Sequence, residues 1–247
     1  MRHLAVAYGL VSYVLFLVAF VYAIGFVGDL LAPKSIDAPA TDAGWQRALL
    51  QDSVLLLLFA VPHSVMARPQ FKAWWTTIVP ASIERSTYVL TSSLLLGLLY
   101  WLWIPIPTVI WQVSAAPLGS LIWAFFWAGW LLALVSTFLI DHFDLFGLRQ
   151  VYLYWSGRPY EPIPFQTPLL YRWVRHPLIL GFLVAFWAAP TMTGGRLLFA
   201  IANTVYCLVA LHFEERDLLH YYGDQYAAYR RQVPMLAPIP RGTRSSR

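Results

Sequence analysis

The chain has 247 residues, 59% of them apolar and only 12% charged, with a formal charge of +5. Soluble domains carry about a quarter charged residues, so this composition excludes an ordinary soluble enzyme and points to an integral membrane protein. The positive balance calls for no nucleic-acid partner, because the basic residues sit in connecting segments and in the tail.

Apolar segments run over 4–31, 49–66, 86–104, 118–140, 178–190 and 197–212. One crossing takes about 20 apolar residues. The first four segments meet that length, and the last two read as a tight helical hairpin packed against protein. Leu4 to Gly28 is too long for the core of a secretory signal peptide and reads as a retained helix. No charged residue occurs between Arg85 and Asp141, which is room for two crossings. Pro62, Pro105, Pro107, Pro117 and Pro190 kink helices or mark their ends. Tyr100, Trp101, Trp103 and Trp111 cluster at segment ends, as an interfacial belt does. Cys207 is the sole cysteine, lies in an apolar helix, and has no partner for a disulfide or a zinc site.

The stretch from Asp141 to Pro177 is the largest polar insertion. Pro159, Pro162, Pro164 and Pro168 predict extended and turn structure there. Helix resumes after Pro177, which suits a first-turn position. From His212 to Arg231 the pattern predicts one helix emerging from the membrane, with Glu214, Asp217, Tyr221 and Asp224 along one face. The expected fold is all-α: a polytopic membrane helix bundle with five to six transmembrane segments, the last two forming a short hairpin followed by a cytoplasmic helix. It is read as a single domain over 1–247, divided into a transmembrane bundle (1–140), a cytoplasmic loop (141–177), the hairpin and helix (178–234) and a basic tail (235–247).

Arg68, Lys72 and Arg85 flank one loop, Arg149, Arg158, Arg172 and Arg175 another, and five arginines crowd the tail. The alternate loops hold only Lys34, Arg47 and Arg196. The positive-inside rule then places both termini and the polar blocks in the cytoplasm, and an even number of crossings follows.

Two polar blocks bracket the hairpin. The first is Tyr171-Arg172-Trp173-Val174-Arg175-His176-Pro177; the second is Glu214-Glu215-Arg216-Asp217, followed by Tyr221, Tyr222, Gly223, Tyr226 and Tyr229. Charges held at a membrane surface are costly unless they are paired or bind something. Arg172 and Arg175 can hold a carboxylate. His176 opens a helix whose free N–H groups attract anions. Glu214 or Glu215 can receive an ammonium or a ribose hydroxyl, and Tyr171, Trp173, Tyr226 and Tyr229 can pack on a purine. Together these suit a zwitterionic amino-acid nucleoside. An ion-pair staple between helix ends explains the same residues equally well.

The order Arg175-His176-Pro177, Gly181, hairpin, Glu214-Glu215, Gly223-x-x-Tyr226-x-x-Tyr229 and Val233-Pro234 resembles the isoprenylcysteine carboxyl methyltransferase superfamily. The resemblance implies an integral-membrane enzyme that uses S-adenosylmethionine, with Arg175, His176, Gly181, Glu214 and Glu215 lining the cofactor pocket. That family often carries an aromatic two residues after the proline, where this chain has Ile179. Further blocks, Pro62-His63-Ser64-Val65-Met66-Ala67-Arg68-Pro69, Glu84-Arg85-Ser86-Thr87-Tyr88-Val89 and Asp141-His142-Phe143-Asp144-Leu145-Phe146-Gly147, resemble the bacterial methanethiol S-methyltransferases, grouped with nurim-like membrane proteins. That resemblance implies conversion of a small volatile thiol, methanethiol, to dimethyl sulfide in the bacterial inner membrane. The alternatives are methylation of a lipid or isoprenoid thiol or carboxylate, and a non-enzymatic nurim-like accessory role.

His63, Glu84, Arg85, Tyr88, Asp141, His142 and Asp144 fall at one membrane depth in this topology. Ionisable groups facing a bundle interior at that depth mark functional sites. A thiol must become a thiolate before it is a good nucleophile. His142 or His63 is the expected base, because imidazole titrates near neutral pH. Asp141 or Asp144 is expected to orient it, Tyr88 to contact the thiol, and Arg85 to fix the loop or a carboxylate. The same groups lack a compact metal-ligand spacing, so no metal is expected.

Overall fold

A computed structural model describes residues 1–39 and 41–237. The predicted basic tail falls almost wholly outside the described residues. In chain order come α1 (Arg2–Gly28), α2 (Trp45–Ala67), α3 (Pro69–Trp75), α4 (Ala81–Leu102), strand β1 (Val109–Gln112), α5 (Ala116–Ile140), α6 (His142–Leu145), α7 (Leu148–Ser156), a 3-10 turn (Leu169–Arg172), α8 (Pro177–Trp187), strand β2 (Thr191–Thr193), α9 (Gly194–Tyr222) and α10 (Asp224–Gln232).

Four of these helices, α1, α2, α5 and α9, are long and apolar enough to cross a membrane. Helix α4 has the length but carries Glu84, Arg85 and a run of hydroxyls. It packs between α1 and α2, where those hydroxyls find carbonyls one turn back, as Ser93 does on Val89 at 2.8 Å. The outward faces of α1 and α5 expose Val11, Val14, Val18, Val21, Leu121, Phe125, Leu131 and Phe138. Water would penalise such continuous apolar bands, whereas lipid covers them. These features make the protein a polytopic membrane helix bundle.

The tightest helix pair is α5 on α8. Gly129 and Ala133 of α5 face Ala185 and Gly181 of α8. A Cβ on Gly181 would come within 2.6 Å of the Ala133 amide nitrogen, and one on Gly129 within 2.6 Å of the Ala185 amide nitrogen. Two small-xxx-small stripes thus let the backbones touch, the packing that works where lipid removes the hydrophobic drive between helices.

The two ends of the bundle differ. At one end β1 pairs antiparallel with β2, Gln112 opposite Thr191, and the Gly194 and Gly195 amides donate to Thr108 and Ile106 carbonyls at 2.8 and 3.1 Å. Arg196 and the Thr193 hydroxyl, both on the hairpin tip, bond Asp37 in the α1–α2 connection, each at 2.5 Å. The hairpin therefore reaches the same end as that connection. Helix α8, 11 residues, covers about 16 Å, and the extended residues up to β2 complete the distance. The ribbon escaped prediction because strands of three and four residues show no periodicity.

The other end holds α3, α6, α7 and α10. Two expectations need correction there. The segment after Asp141 is not mainly extended: α6 and α7 occupy 142–156, and the extended course begins only at the proline cluster. Gly147, at φ +87°, seats α7 on the start of α4, where a Cβ would meet the Ser86 amide at 2.8 Å. The emerging helix is also broken. Gly223, at φ 54° and ψ −128°, separates α9 from α10 and turns Asp224 off the face of Glu214 and Asp217.

Candidate active site

The first polar cluster is a closed frame. Arg175, Glu215 and His176 are almost fully buried. The Arg175 Nε donates to Glu215 Oε1 at 2.6 Å, and its Nη1 donates to the Val233 and Arg230 carbonyls at 2.6 and 3.1 Å. His176 Nε2 lies 3.2 Å from the same carboxylate oxygen, and the Tyr226 hydroxyl donates to it at 3.2 Å. Arg230 reaches Glu215 Oε2 at 3.3 Å. The Arg175 and His176 amides bond the Pro234 and Met235 carbonyls at 3.0 and 3.2 Å. The Tyr229 hydroxyl donates to the Tyr171 carbonyl at 2.5 Å, and Phe165 packs among Tyr222, Tyr226 and Tyr229. Arginine–histidine–proline, the second glutamate, the two tyrosines and valine–proline are thus one hydrogen-bonded unit that folds the chain after α9 back onto the start of α8. Burial pushes the Tyr226 hydroxyl well above its ordinary value and Tyr229 up to about 12, so both stay protonated donors.

What remains open beside this frame is Glu214, with half of its side chain exposed, and Arg172 and Trp173 on the turn before it. Glu214 Oε2 lies 3.9 Å from His176 Nδ1. Its charge is felt by Tyr171 and Tyr226 on the frame side. It also reaches Tyr88 and Tyr206 of the neighbouring cluster. Glu214 therefore borders both clusters.

The second cluster is centred on His63. Its Nδ1 meets Ser92 Oγ at 2.9 Å and its Nε2 meets the Tyr88 hydroxyl at 2.8 Å. Phe59 stacks on the imidazole at 5.0 Å, and Tyr206 of α9 lies edge-on at 6.3 Å. The Ser92 hydroxyl donates to the Tyr88 carbonyl at 2.8 Å, so its oxygen is left to accept from His63. That places the imidazole proton on Nδ1 and leaves Nε2 as the basic nitrogen, accepting from Tyr88. Arg85 sits over the Tyr88 ring at 5.8 Å. Arg68, at the end of α2, pairs with Asp217 of α9 at 2.8 Å and holds the two helices together beside this site.

Asp141, His142 and Asp144 lie elsewhere. The buried His142 bonds Tyr13 through Nε2 at 2.7 Å and Thr137 through Nδ1 at 2.8 Å, and stacks on Phe138 at 4.1 Å. Burial draws its pKa below the ordinary value, against the pull of Asp141. Asp141 caps α6, accepting the Asp144 amide at 3.0 Å. Asp144 takes Arg149, Gln150 and Tyr160. These three residues tie α6 and α7 to α1 and α5. Gly181 is buried in the α5 contact described above. Among the described residues no group of three metal-ligating side chains converges. Sequence reading missed Phe59, Ser92 and Tyr206. Phe59 precedes His63 by one turn and Ser92 follows Tyr88 by one turn, a spacing that marks shared helix faces.

Over 240 residues the chain is 60% identical to a methanethiol S-methyltransferase of Mycobacterium tuberculosis, covering 97% of this chain and 98% of that protein. The chain belongs to the methanethiol S-methyltransferase family. It is also 56% identical to methanethiol S-methyltransferase 2 of Bradyrhizobium diazoefficiens over 232 residues, 94% of this chain and 88% of that protein. Nurim of Sus scrofa is 32% identical over 198 residues, 73% of this chain and 75% of that protein. No family model and no solved structure matches. Membership makes this chain a membrane methyltransferase.

Proposed function

We propose that this methyltransferase converts methanethiol to dimethyl sulfide with S-adenosylmethionine as the methyl donor, at the groove between His63–Tyr88 and Glu214. The observation that carries the reading is the bonded Ser92–His63–Tyr88 chain, whose basic nitrogen accepts a phenol proton.

The donor set suits the cofactor. Glu214 matches its ammonium, Arg172 its carboxylate, and Trp173 and Tyr171 a purine face. Arg175, His176 and Glu215 bond one another and hold that wall in shape. When bound, S-adenosylmethionine supplies a methyl on a sulfonium sulfur, and transfer to a thiolate discharges both partners, which a dry pocket favours over water.

The chain's own task is to deprotonate the thiol. A thiol against Tyr88 gives its proton to the phenol oxygen while the phenol proton passes to His63 Nε2. The imidazolium so formed keeps Nδ1–H on Ser92. The S–H bond breaks, the thiolate is released next to the methyl donor, and one proton is stored on His63. Phe59 and Tyr206 keep water from the imidazole. His142, bonded to Tyr13 and Thr137, lies outside this cluster and is not the base in this reading. The charge-rich end of the bundle faces the cytoplasm of the bacterial inner membrane, with both termini on that side, since Arg68, Lys72, Arg85, Arg149, Arg158 and Arg172 all gather there.

Calorimetric titration of the purified chain with S-adenosylmethionine tests the cofactor assignment. Saturable binding that Glu214→Ala weakens at least tenfold is expected. Absence of binding by the folded wild type overturns the enzyme reading in favour of a nurim-like accessory role.

A further inference from the structure

A cleft of about 470 Å³ opens at the charge-rich end, between α3, the first turn of α4 and the end of α7. Three cations from three segments line it: Lys72, Arg85 and Arg158. Among the described residues none of the three makes a side-chain hydrogen bond or an ion pair within 4 Å, and Arg85 has only the Tyr88 ring beneath it. Burial and the neighbouring Arg85 pull the Lys72 pKa below its ordinary value. The lining includes a single carboxylate, Glu84. Gln150 also lines the cleft. Its Nε2 is committed to Asp144, and its buried Oε1 has no donor.

The cleft thus presents an excess of positive charge, three cations against Glu84, beside a buried acceptor that has no donor. Crowded, partly buried cations are costly until a counter-charge arrives. S-Adenosylmethionine bears a net positive charge, so this cleft disfavours it and is not a second cofactor site. A phosphate with a hydroxyl beside it matches both features, the phosphate taking Lys72, Arg85 and Arg158 and the hydroxyl donating to Gln150.

The walls distinguish a lipid from a soluble phosphate. Tyr154 of α7 and Tyr160 are exposed rings in the cleft lining, and the exposed Trp74 of α3 follows the lining residue Ala73. The cleft lies where α2 ends and α4 begins, at the level where spans meet lipid heads. Aromatic side chains settle at that level, and basic pockets there hold anionic heads.

We infer that this cleft binds the phosphate of an anionic glycerophospholipid, with a head-group hydroxyl on Gln150. The inference is independent of the methyl-transfer reading, because its readout is lipid binding and stability.

The test uses the full chain in phosphatidylcholine nanodiscs, with or without phosphatidylglycerol, and follows thermal unfolding. Phosphatidylglycerol is expected to raise the midpoint by about 4 °C. Lys72→Gln with Arg158→Gln is expected to abolish the rise while unfolding no lower than the wild type in phosphatidylcholine alone. Should the double variant fail to fold, Arg158→Gln alone, at an exposed loop position, is expected to reduce the rise by half or more. Lys72→Arg with Arg158→Lys keeps it. No rise in the wild type, or an equal rise in variants that fold, overturns the inference. Equal protection of phosphatidylcholine samples by inorganic phosphate overturns the lipid source.

Discussion

The Tyr88 hydroxyl stands 2.8 Å from His63 Nε2, and the same tyrosine's carbonyl accepts the Ser92 hydroxyl that fixes His63 Nδ1. One residue of α4 thus contacts both ends of an imidazole on α2, once through its side chain and once through Ser92. The arrangement presets the tautomer before any substrate arrives.

Tyr88→Phe removes the proton path and leaves the ring. The expected result is a kcat for sulfide formation lower by about 100-fold, with S-adenosylmethionine affinity unchanged. Headspace kinetics and calorimetry on the same preparation check this. An equal fall in cofactor affinity would move Tyr88 to the cofactor side of the groove.

Arg175→Ala leaves Glu215 buried beside His176 and strips the carbonyls of Arg230 and Val233 of their donor. Breaking a buried pair by removing one partner costs about 3–5 kcal/mol. A fall in thermal midpoint is therefore expected whether or not cofactor is present. Proteolysis near Pro234 should rise as well, because the returning segment loses its anchor.

Spans were legible because apolar runs and proline punctuation are local signals, and the hairpin was legible because polar blocks bracket it. Residue types named the frame: Arg175, His176, Glu215, Tyr226 and Tyr229 all lie in it. Their pairing was not legible, since Arg175 spends one nitrogen on carbonyls 55 and 58 residues away. Nor could spacing separate the two histidines. His63 meets Tyr88 and Ser92 across a helix pair, whereas His142 is held by Tyr13, 129 residues earlier. Asp141 and Asp144 carried the right chemistry for a site and are spent on a cap and on Arg149.

Gly181 lies with its backbone against α5. Gly181→Ala pushes a methyl toward the Ala133 amide, and overpacking of this kind costs about 1–3 kcal/mol. Gly129→Ala, outside both polar clusters, is expected to cost the same. Matching losses of thermal stability in the two variants, with cofactor affinity retained by the folded fraction, identify a packing role for Gly181. A selective loss of cofactor affinity in Gly181→Ala would place it at the pocket.

His142 makes stability depend on pH. Burial holds its folded pKa below the unfolded value of about 6.5. The unfolded chain then takes up the proton first, so this contribution is whole above about pH 6.5 and is lost as the pH falls from there toward the folded value. Thermal midpoints across that range should fall with acid in the wild type and fall less in His142→Gln. An equal slope in both proteins would remove His142 as the source.

The central claim is thiol methylation at the His63–Tyr88 groove. Its most direct measurement is headspace detection of dimethyl sulfide from the purified chain given methanethiol and S-adenosylmethionine with a deuterated methyl. The account predicts sulfide carrying one labelled methyl from the wild type, and almost none from His63→Ala that still binds the cofactor. Cofactor-saturated wild-type protein yielding no labelled sulfide would contradict it.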